Sequence, residues 1–326
     1  MKKMAGIALV LFLAVVLFSA CGDEGGGTGA ERADGEFEVG IIKLMEHPAL
    51  DAAHEGFVAA LEAEGINVNY DYHNAQGDTA TLGTIAQRFV SSDVDLVLAI
   101  ATPSAQAIAN ATETIPIVGT AITSFEAAGL VESNDAPGFN VTGTSDMNPV
   151  AEQIDLMLEF MPEIQTIGIL YSSAEPNSVV QAGMAREAAE ALGLSVESGT
   201  VAATADIQQV ATSVANRVDA IYIPTDNTHA GAMSLIGQIS METGTPVFAG
   251  EGNMVMGGGI ATVGIDYFDL GFQAGIMAAQ ILRGEAEPGA MPIQFAQSFD
   301  YTVNGFMLEQ MGLIVPPRLF DYIRWE

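Results

Sequence analysis

Along most of the chain, short apolar runs rich in β-branched residues alternate with longer stretches whose alanines and leucines recur at helical spacing. EVGIIKL (Glu38–Leu44) precedes a helix expected over Ala49–Glu64, INVNYDY (Ile66–Tyr72) one over Thr79–Ser91, and VDLVLAIA (Val94–Ala101) one over Ser104–Ala111; IPIVGTAI (Ile115–Ile122) follows. Strands that are apolar throughout, each followed by a helix, belong to a parallel sheet covered on both faces. NVTGTSD (Asn140–Asp146) reads as a short extended piece with no helix of its own. The alternation then restarts with a helix at Pro149–Phe160, TIGILYSS (Thr166–Ser173), a helix at Asn177–Leu192, LSVESGTVA (Leu194–Ala202) and a helix at Asp206–Asn216. VDAIYIPTDN (Val218–Asn227), a helix at Ala230–Glu242, PVFAGE (Pro246–Glu251), IATVGIDY (Ile260–Tyr267) and a long helix at Phe268–Arg283 complete it.

The two halves echo each other. VDLVLAIATPSAQAI and VDAIYIPTDNTHAGAM share Val-Asp, an apolar strand, a threonine-bearing turn and an alanine-rich helix. Two similar α/β halves imply two Rossmann-like lobes, each a parallel sheet with helices on both faces, with a cleft between them. Ligands of open α/β sheets sit beyond the carboxyl ends of the strands. That rule collects Met45–Leu50, Thr102–Ser104, Thr120–Thr123, Ser172–Ser178, Thr225–Asn227 and Gly250–Glu251 as cleft wall.

The chain has 326 residues, more than one ordinary core needs. Its start, MKKMAGIALVLFLAVVLFSAC, has a basic n-region and an apolar run, Met4 to Phe18, too short to span a bilayer. It reads as a secretory signal over 1–20. LFSAC resembles a lipobox, with Phe18 where leucine is preferred, so Cys21 is either lipidated or left as a free residue after cleavage near Ala20. The polar, glycine-rich segment 21–36 suits a tether, which favours lipidation. Cys21 is the only cysteine, so the folded body has no disulfide and no thiol chemistry.

Charge narrows the partners. Ten Lys and Arg stand against 41 Asp and Glu, a net charge of −31. Nucleic acid and anionic lipid surfaces are excluded as partners, since both require basic patches. The acids are spread along the chain, as expected of a surface that stays hydrated in a salty medium.

Enzyme motifs are absent: there is no G-x-x-x-x-G-K-[ST], no G-x-S-x-G and no H-E-x-x-H. Lys43, the only lysine after Lys3, reads as a surface charge near a strand end. His47 and His54 are two helical turns apart, roughly 10 Å along the axis, too far to share an ion. His73 and His229 fall in other loops. No metal and no cofactor is expected.

Non-covalent binding accounts for more. Thr102-Pro103-Ser104 ends a strand and opens a helix whose free N–H groups suit a carboxylate, the alternative being plain capping. SAEPNS, Ser173 to Ser178, is the matching turn of the second lobe, where Asn177 or Ser178 would cap the next helix. Asp226-Asn227 is a strand-end acid and amide pair suited to an ammonium group. Glu46 and Glu251 also lie at strand ends, and Thr120 lies in the same wall.

GIIKLMEHPALDAAHEGF, AIATPSAQA, NVTGTSD, IGILYSSAEPNS, IPTDNT and PVFAGEGNMVMGGGIATVGIDYFDLG together resemble the ABC transporter substrate-binding lipoproteins of the tryptophan/tyrosine type. The resemblance runs from about Glu38 to the C-terminus. It implies a type I periplasmic-binding-protein fold joined by a three-crossing hinge, a Venus-flytrap. It also implies a small solute, an aromatic amino acid, delivered to an ABC permease from the extracytoplasmic face of the cell membrane, and no enzymatic activity.

The hinge is expected near Ile122–Thr123, Thr144–Asp146 and Gly264–Asp266. The lobes would comprise 37–122 with 267–284 and 123–266, with 285–326 returning to them. Glu46, His47, Pro48 and Ala49 would line one side, Thr102 and Ser104 would take a carboxylate, Asn177 and Ser178 would cap the opposite side, and Asp226 would pair an ammonium. Tyr171, Phe125, Tyr222 and Tyr267 are available as an aromatic clamp. A sensory receptor lipoprotein, or a metal-binding lipoprotein, is the alternative function.

Overall fold

The computed structural model describes residues 36–325. The signal, Cys21 and all of the tether except Glu36 lie outside the described residues.

The first strand, β1 (Glu36–Lys43), buries Val39, Ile41 and Ile42 completely, which requires cover on both faces. It leads into α1 (Pro48–Ala63), where the missing N–H of Pro48 is no loss in the first turn. Ala53, Phe57, Ala60 and Leu61 turn one face of α1 to the core. Then come β2 (Asn67–Asn74), α2 (Thr79–Ser91, capped by Asp78), β3 (Leu96–Ile100), α3 (Thr102–Ala109), β4 (Ile117–Ile122) and β5 (Val141–Ser145).

The chain continues through α4 (Val150–Phe160), β6 (Thr166–Ser172), α5 (Pro176–Ala191), β7 (Ser195–Val201) and α6 (Ile207–Ala215). After these follow β8 (Ala220–Ile223), α7 (Asn227–Ala230), α8 (Met233–Thr243), β9 (Val247–Ala249), α9 (Gly252–Gly258) and β10 (Ala261–Gly264). The last elements are α10 (Tyr267–Leu282), β11 (Gln294–Phe295), β12 (Asp300–Asn304), α11 (Gly305–Met311) and β13 (Ile323–Arg324).

The first lobe is a six-stranded parallel sheet in the order β11-β5-β4-β3-β1-β2. Its core joins these strands to α1, α2, α3 and α10. The second lobe holds a four-stranded parallel sheet, β7-β6-β8-β9, and a three-stranded sheet, β10-β12-β13, in which β10 and β12 run antiparallel. One apolar cluster, from Ile167 and Phe248 to Val263 and Val303, joins the two sheets.

Helices α1 and α10 approach more closely than side chains allow. A Cβ on Gly271 would lie 1.9 Å from the Ala53 carbonyl oxygen, and one on Gly56 would lie 2.0 Å from that of Phe268. The glycines let α10 lie directly on α1, which fixes its first residue, Tyr267, at the lobe boundary.

The structure corrects several expectations. Segment 123–145 stays with the first lobe, because β5 pairs with β4 and Phe125 fills the first core. The chain therefore does not cross at Ile122–Thr123. It passes between the lobes after β5, between β10 and α10, and between β11 and β12. The tail is divided likewise: β11 extends the first sheet, whereas β12 and β13 belong to the second lobe. His73 lies in β2 and His229 in α7 rather than in loops. Lys43 is not a surface charge but is 3% exposed, paired with Asp51, its ammonium 5.6 Å from the Tyr72 ring centre. Burial lowers its pKa, and Asp51 and Tyr72 more than reverse this.

Candidate functional site

The loop after β1 meets the start of α7 from the opposite lobe. Glu175, at the N-cap position of α5, is buried and accepts from the Asn227 backbone N–H at 3.1 Å and its amide Nδ2 at 2.5 Å. It also accepts from the Thr228 N–H at 2.9 Å and hydroxyl at 2.6 Å. Burial, and the Asp226 charge beside it, push the Glu175 carboxyl up. Because Nδ2 of Asn227 donates to Glu175, its Oδ1 is the atom facing His47, 3.0 Å from Nε2. Nε2 therefore carries the proton and donates across the lobe boundary. Burial holds His47 below its usual pKa, so the ring is neutral and Nδ1 is an acceptor. That Nδ1 is buried without a partner.

Asp226, expected to pair an ammonium, is committed within its own lobe. Its carboxylate accepts from the His229 N–H at 2.8 Å, from His229 Nδ1 at 2.8 Å and from the Ser172 N–H at 2.5 Å. Burial pushes it up, but His229 and these N–H groups more than offset that and hold it below the usual carboxylate range.

Asp146 and Glu251 are placed differently. Asp146 follows β5 in the first crossing and is 2% exposed. It accepts from the Thr123 hydroxyl at 2.8 Å and from the Tyr267 hydroxyl at 2.9 Å. Burial pushes its carboxyl up despite these bonds. Glu251 caps α9, accepting from the Asn253 and Met254 N–H groups at 2.7 Å each. Burial raises it to about 7. Both acids line a narrow interlobe cavity of about 10 Å³, together with His47, Ala49, Leu50 and Tyr267. Thr225, Asp226, Asn227, Ala230 and Met254 complete its wall, which contains no lysine or arginine.

On the neighbouring edge of the first sheet, Thr102 and Ser104 open α3, fully buried with unpartnered hydroxyls. The residue before them, Ala101, has φ +80°, and Ala121 at the end of β4 has φ +55°. Such conformations cost about 1–3 kcal/mol each in a residue with a Cβ, and strain of this kind gathers at functional edges. Ser172 Oγ, Asn148 Oδ1 and Asn177 Oδ1 are likewise buried without partners. Buried polar atoms are normally paired, so unpaired ones concentrated along a cleft mark groups available to a solute.

Other expected site residues lie elsewhere or do other work. Glu46 and Pro48 face solvent, because the extended backbone at His47 turns only His47 and Ala49 inward. The Thr120 hydroxyl is taken by Thr144 at 3.0 Å. Asn177 and Ser178 do not cap α5; Asn177 donates to the Thr225 carbonyl at 3.2 Å, and Ser178 does so at 3.5 Å. Of the aromatic residues, only Tyr267 lines the cavity. Phe125 and Tyr222 are core residues, with Tyr222 donating to Gln153 at 2.6 Å, and Tyr171 is half-buried. The enclosed roles of Glu175 and His229 and the cavity-facing position of Asp146 were not anticipated; the Asp-x-x-His spacing at a helix start was the available signal for His229.

A larger hollow of about 860 Å³ lies on the first lobe near α3, Phe139 and Pro288. Its Gln106 and Asn140 amides already donate to the carbonyls of Ala128, Thr112 and Ile115, so it offers a solute little unpaired polarity.

Two parallel-sheet lobes with a polar cavity between the carboxyl ends of their strands define a two-lobed solute receptor of the type I periplasmic-binding-protein fold. The family described as ABC transporter substrate binding protein matches residues 38–323, and the chain belongs to that family. Its members are extracytoplasmic binding proteins, not enzymes. A Clostridioides difficile protein named tyrosine-binding protein is 34% identical over 321 residues, covering 96% of this chain and 93% of its own. A structure from Streptococcus pneumoniae, described as an ABC domain in complex with L-Trp, is 34% identical with TM-score 0.86, covering 89% of this chain and 100% of its own. The ligand-free, open structure of a Clostridium difficile substrate-binding protein with adhesive properties is 39% identical with TM-score 0.69, covering 89% and 99%. The chain superposes better on the L-Trp complex than on the ligand-free, open structure.

Proposed function

We propose that this protein is the solute-binding component of an ABC importer, held to the outer face of the cell membrane by lipid on Cys21, and that it delivers an aromatic amino acid to the permease. The observation that carries this reading is the set of buried, unpartnered polar atoms on facing edges of the two lobes. Hydroxyl donors at the start of α3, Thr102 and Ser104, suit a carboxylate, and the acids that line the cavity suit an amine. Leu50, Met254 and Tyr267 give the same cavity an apolar side for a ring. The relatives named for tyrosine and solved with L-Trp support the aromatic class. His47 and Ala49 serve as wall, and Asn177 as a polar contact from the second lobe. Closure is favoured because a solute touches both lobes only when they are shut.

A thermal-shift and calorimetric screen of the amino acids tests this, with tryptophan, tyrosine and phenylalanine first. Saturable binding of at least one of the three, with an upward shift in Tm, is expected. Binding of none of them removes the aromatic assignment. Metabolic labelling with a radioactive fatty acid tests the anchor: wild type is labelled and Cys21→Ser is not.

A further inference from the structure

Two acids of the interlobe cavity take no part in any ion pair. Asp226 has His229, and Glu175 behind it is held by four donors from Asn227 and Thr228. Asp146 and Glu251 have only uncharged donors, the Thr123 and Tyr267 hydroxyls and its own N–H on Asp146, and the Asn253 and Met254 N–H groups with the Asn253 side chain on Glu251, fewer than the about four lone pairs of each carboxyl group. His47 adds a third acceptor to the same cavity, its unpartnered Nδ1 on a side chain 7% exposed. The Tyr267 hydroxyl donates to Asp146 and is uncharged, its pKa pushed up by burial. Three acceptors, two of them carboxyl groups, around a cavity without lysine or arginine match the three N–H donors of a primary ammonium.

Asp146 has a second property. It lies in the crossing after β5, and its two oxygens bind the end of β4 through Thr123 and the start of α10 through Tyr267. Tyr267 follows the crossing from β10. Asn148, two residues on, donates to the Thr225 hydroxyl of the second lobe at 3.1 Å. One carboxylate thus faces the cavity and ties two of the three interlobe crossings together.

We propose that Asp146, Glu251 and His47 form the seat of the solute's ammonium group, and that occupation of this seat is coupled to the hinge through Asp146. The proposal rests on the amino-acid reading above and replaces Asp226 as the ammonium partner.

Isothermal titration of the full chain with L-tryptophan and L-tyrosine, with their deamino analogues indole-3-propionate and 3-(4-hydroxyphenyl)propionate, and with tryptamine and tyramine, tests it. Wild type is expected to bind an amino acid about thirtyfold or more tighter than its deamino analogue, the worth of charge-assisted hydrogen bonds. Asp146→Asn and Glu251→Gln should each cut that preference about tenfold, while binding of the deamino acid stays within about threefold and reports an intact fold. Wild type binding both forms alike, or variants weakening both alike, overturns the seat and leaves the amino-acid reading standing. Amines binding while neither amino acid does would keep the seat and remove that reading. Binding of none of the six overturns both. Small-angle scattering tests the hinge: saturating amino acid should compact wild type more than Asp146→Asn, and equal compaction overturns the coupling.

Discussion

Glu251 shows how one buried acid writes a pH dependence into the molecule. Its carboxyl titrates near 7 in the folded protein, against 4.5 for an ordinary glutamate. Between those two values the folded state holds a proton that the unfolded state has lost, so stability falls as pH rises and the loss is complete above 7. The ceiling is about 3 kcal/mol, at about 1.4 kcal/mol per pK unit. Asp146, also raised, acts in the same direction, whereas the depressed Asp226 loses its contribution only in stronger acid. Urea denaturation of the ligand-free protein is expected to give lower midpoints at pH 8 than at pH 5, and Glu251→Gln to flatten the difference. An ammonium seated there displaces the same proton, so affinity should rise with pH up to about 7. Titration at pH 6 in buffers of different ionisation enthalpy reads the proton released. His47→Ala should weaken solute binding by about 1–3 kcal/mol, because it removes the cross-lobe bond and strands Asn227 Oδ1.

At the scale of elements, the α1 and α10 pair is the joint to test. Gly271→Ala forces a methyl against the Ala53 carbonyl and should destabilise by about 1–3 kcal/mol in a thermal melt. Gly83→Ala, inside α2 with nothing within 4 Å of the added carbon, should stabilise by about 0.5–1 kcal/mol. The strands β1, β3, β4, β6 and β8 were legible because burial on both faces leaves unbroken apolar runs. Segment 123–145 was not, since no local pattern says that β5 returns to the edge of β4. Helix α9 was hidden because GNMVMGG has poor helix propensity, which the Glu251 cap offsets. The cleft walls were legible from strand ends; which way each side chain turns was not. In so acidic a chain, Glu46 in solvent and Glu175 fully enclosed look alike.

For the whole molecule the net charge of −31 dominates. Self-repulsion on that scale is reduced by salt, the screening length falling from about 10 Å at 0.1 M to about 3 Å at 1 M. The Tm in 1 M sodium chloride is expected to exceed that at low salt by several degrees, with sucrose of matched osmolality as the control. An unchanged Tm would mean that local pairs such as Arg318 with Glu159 already balance the field. The lobes are joined by three strands of chain, so this repulsion also acts between them, and salt should favour the shut form in scattering.

Lys43 turns the first lobe into its own proteolysis gauge. A lysine-specific endoproteinase has one possible target between residues 36 and 325, the bond after Lys43, and that residue is buried at the end of a central strand. Cleavage there requires the sheet to open, so the rate of that cut tracks the population of opened first lobe, and cuts after Lys2 or Lys3 leave the fragment from Met4 to Lys43 as its separate readout. Solutes that hold the lobes shut can be ranked by how far they slow that one cut.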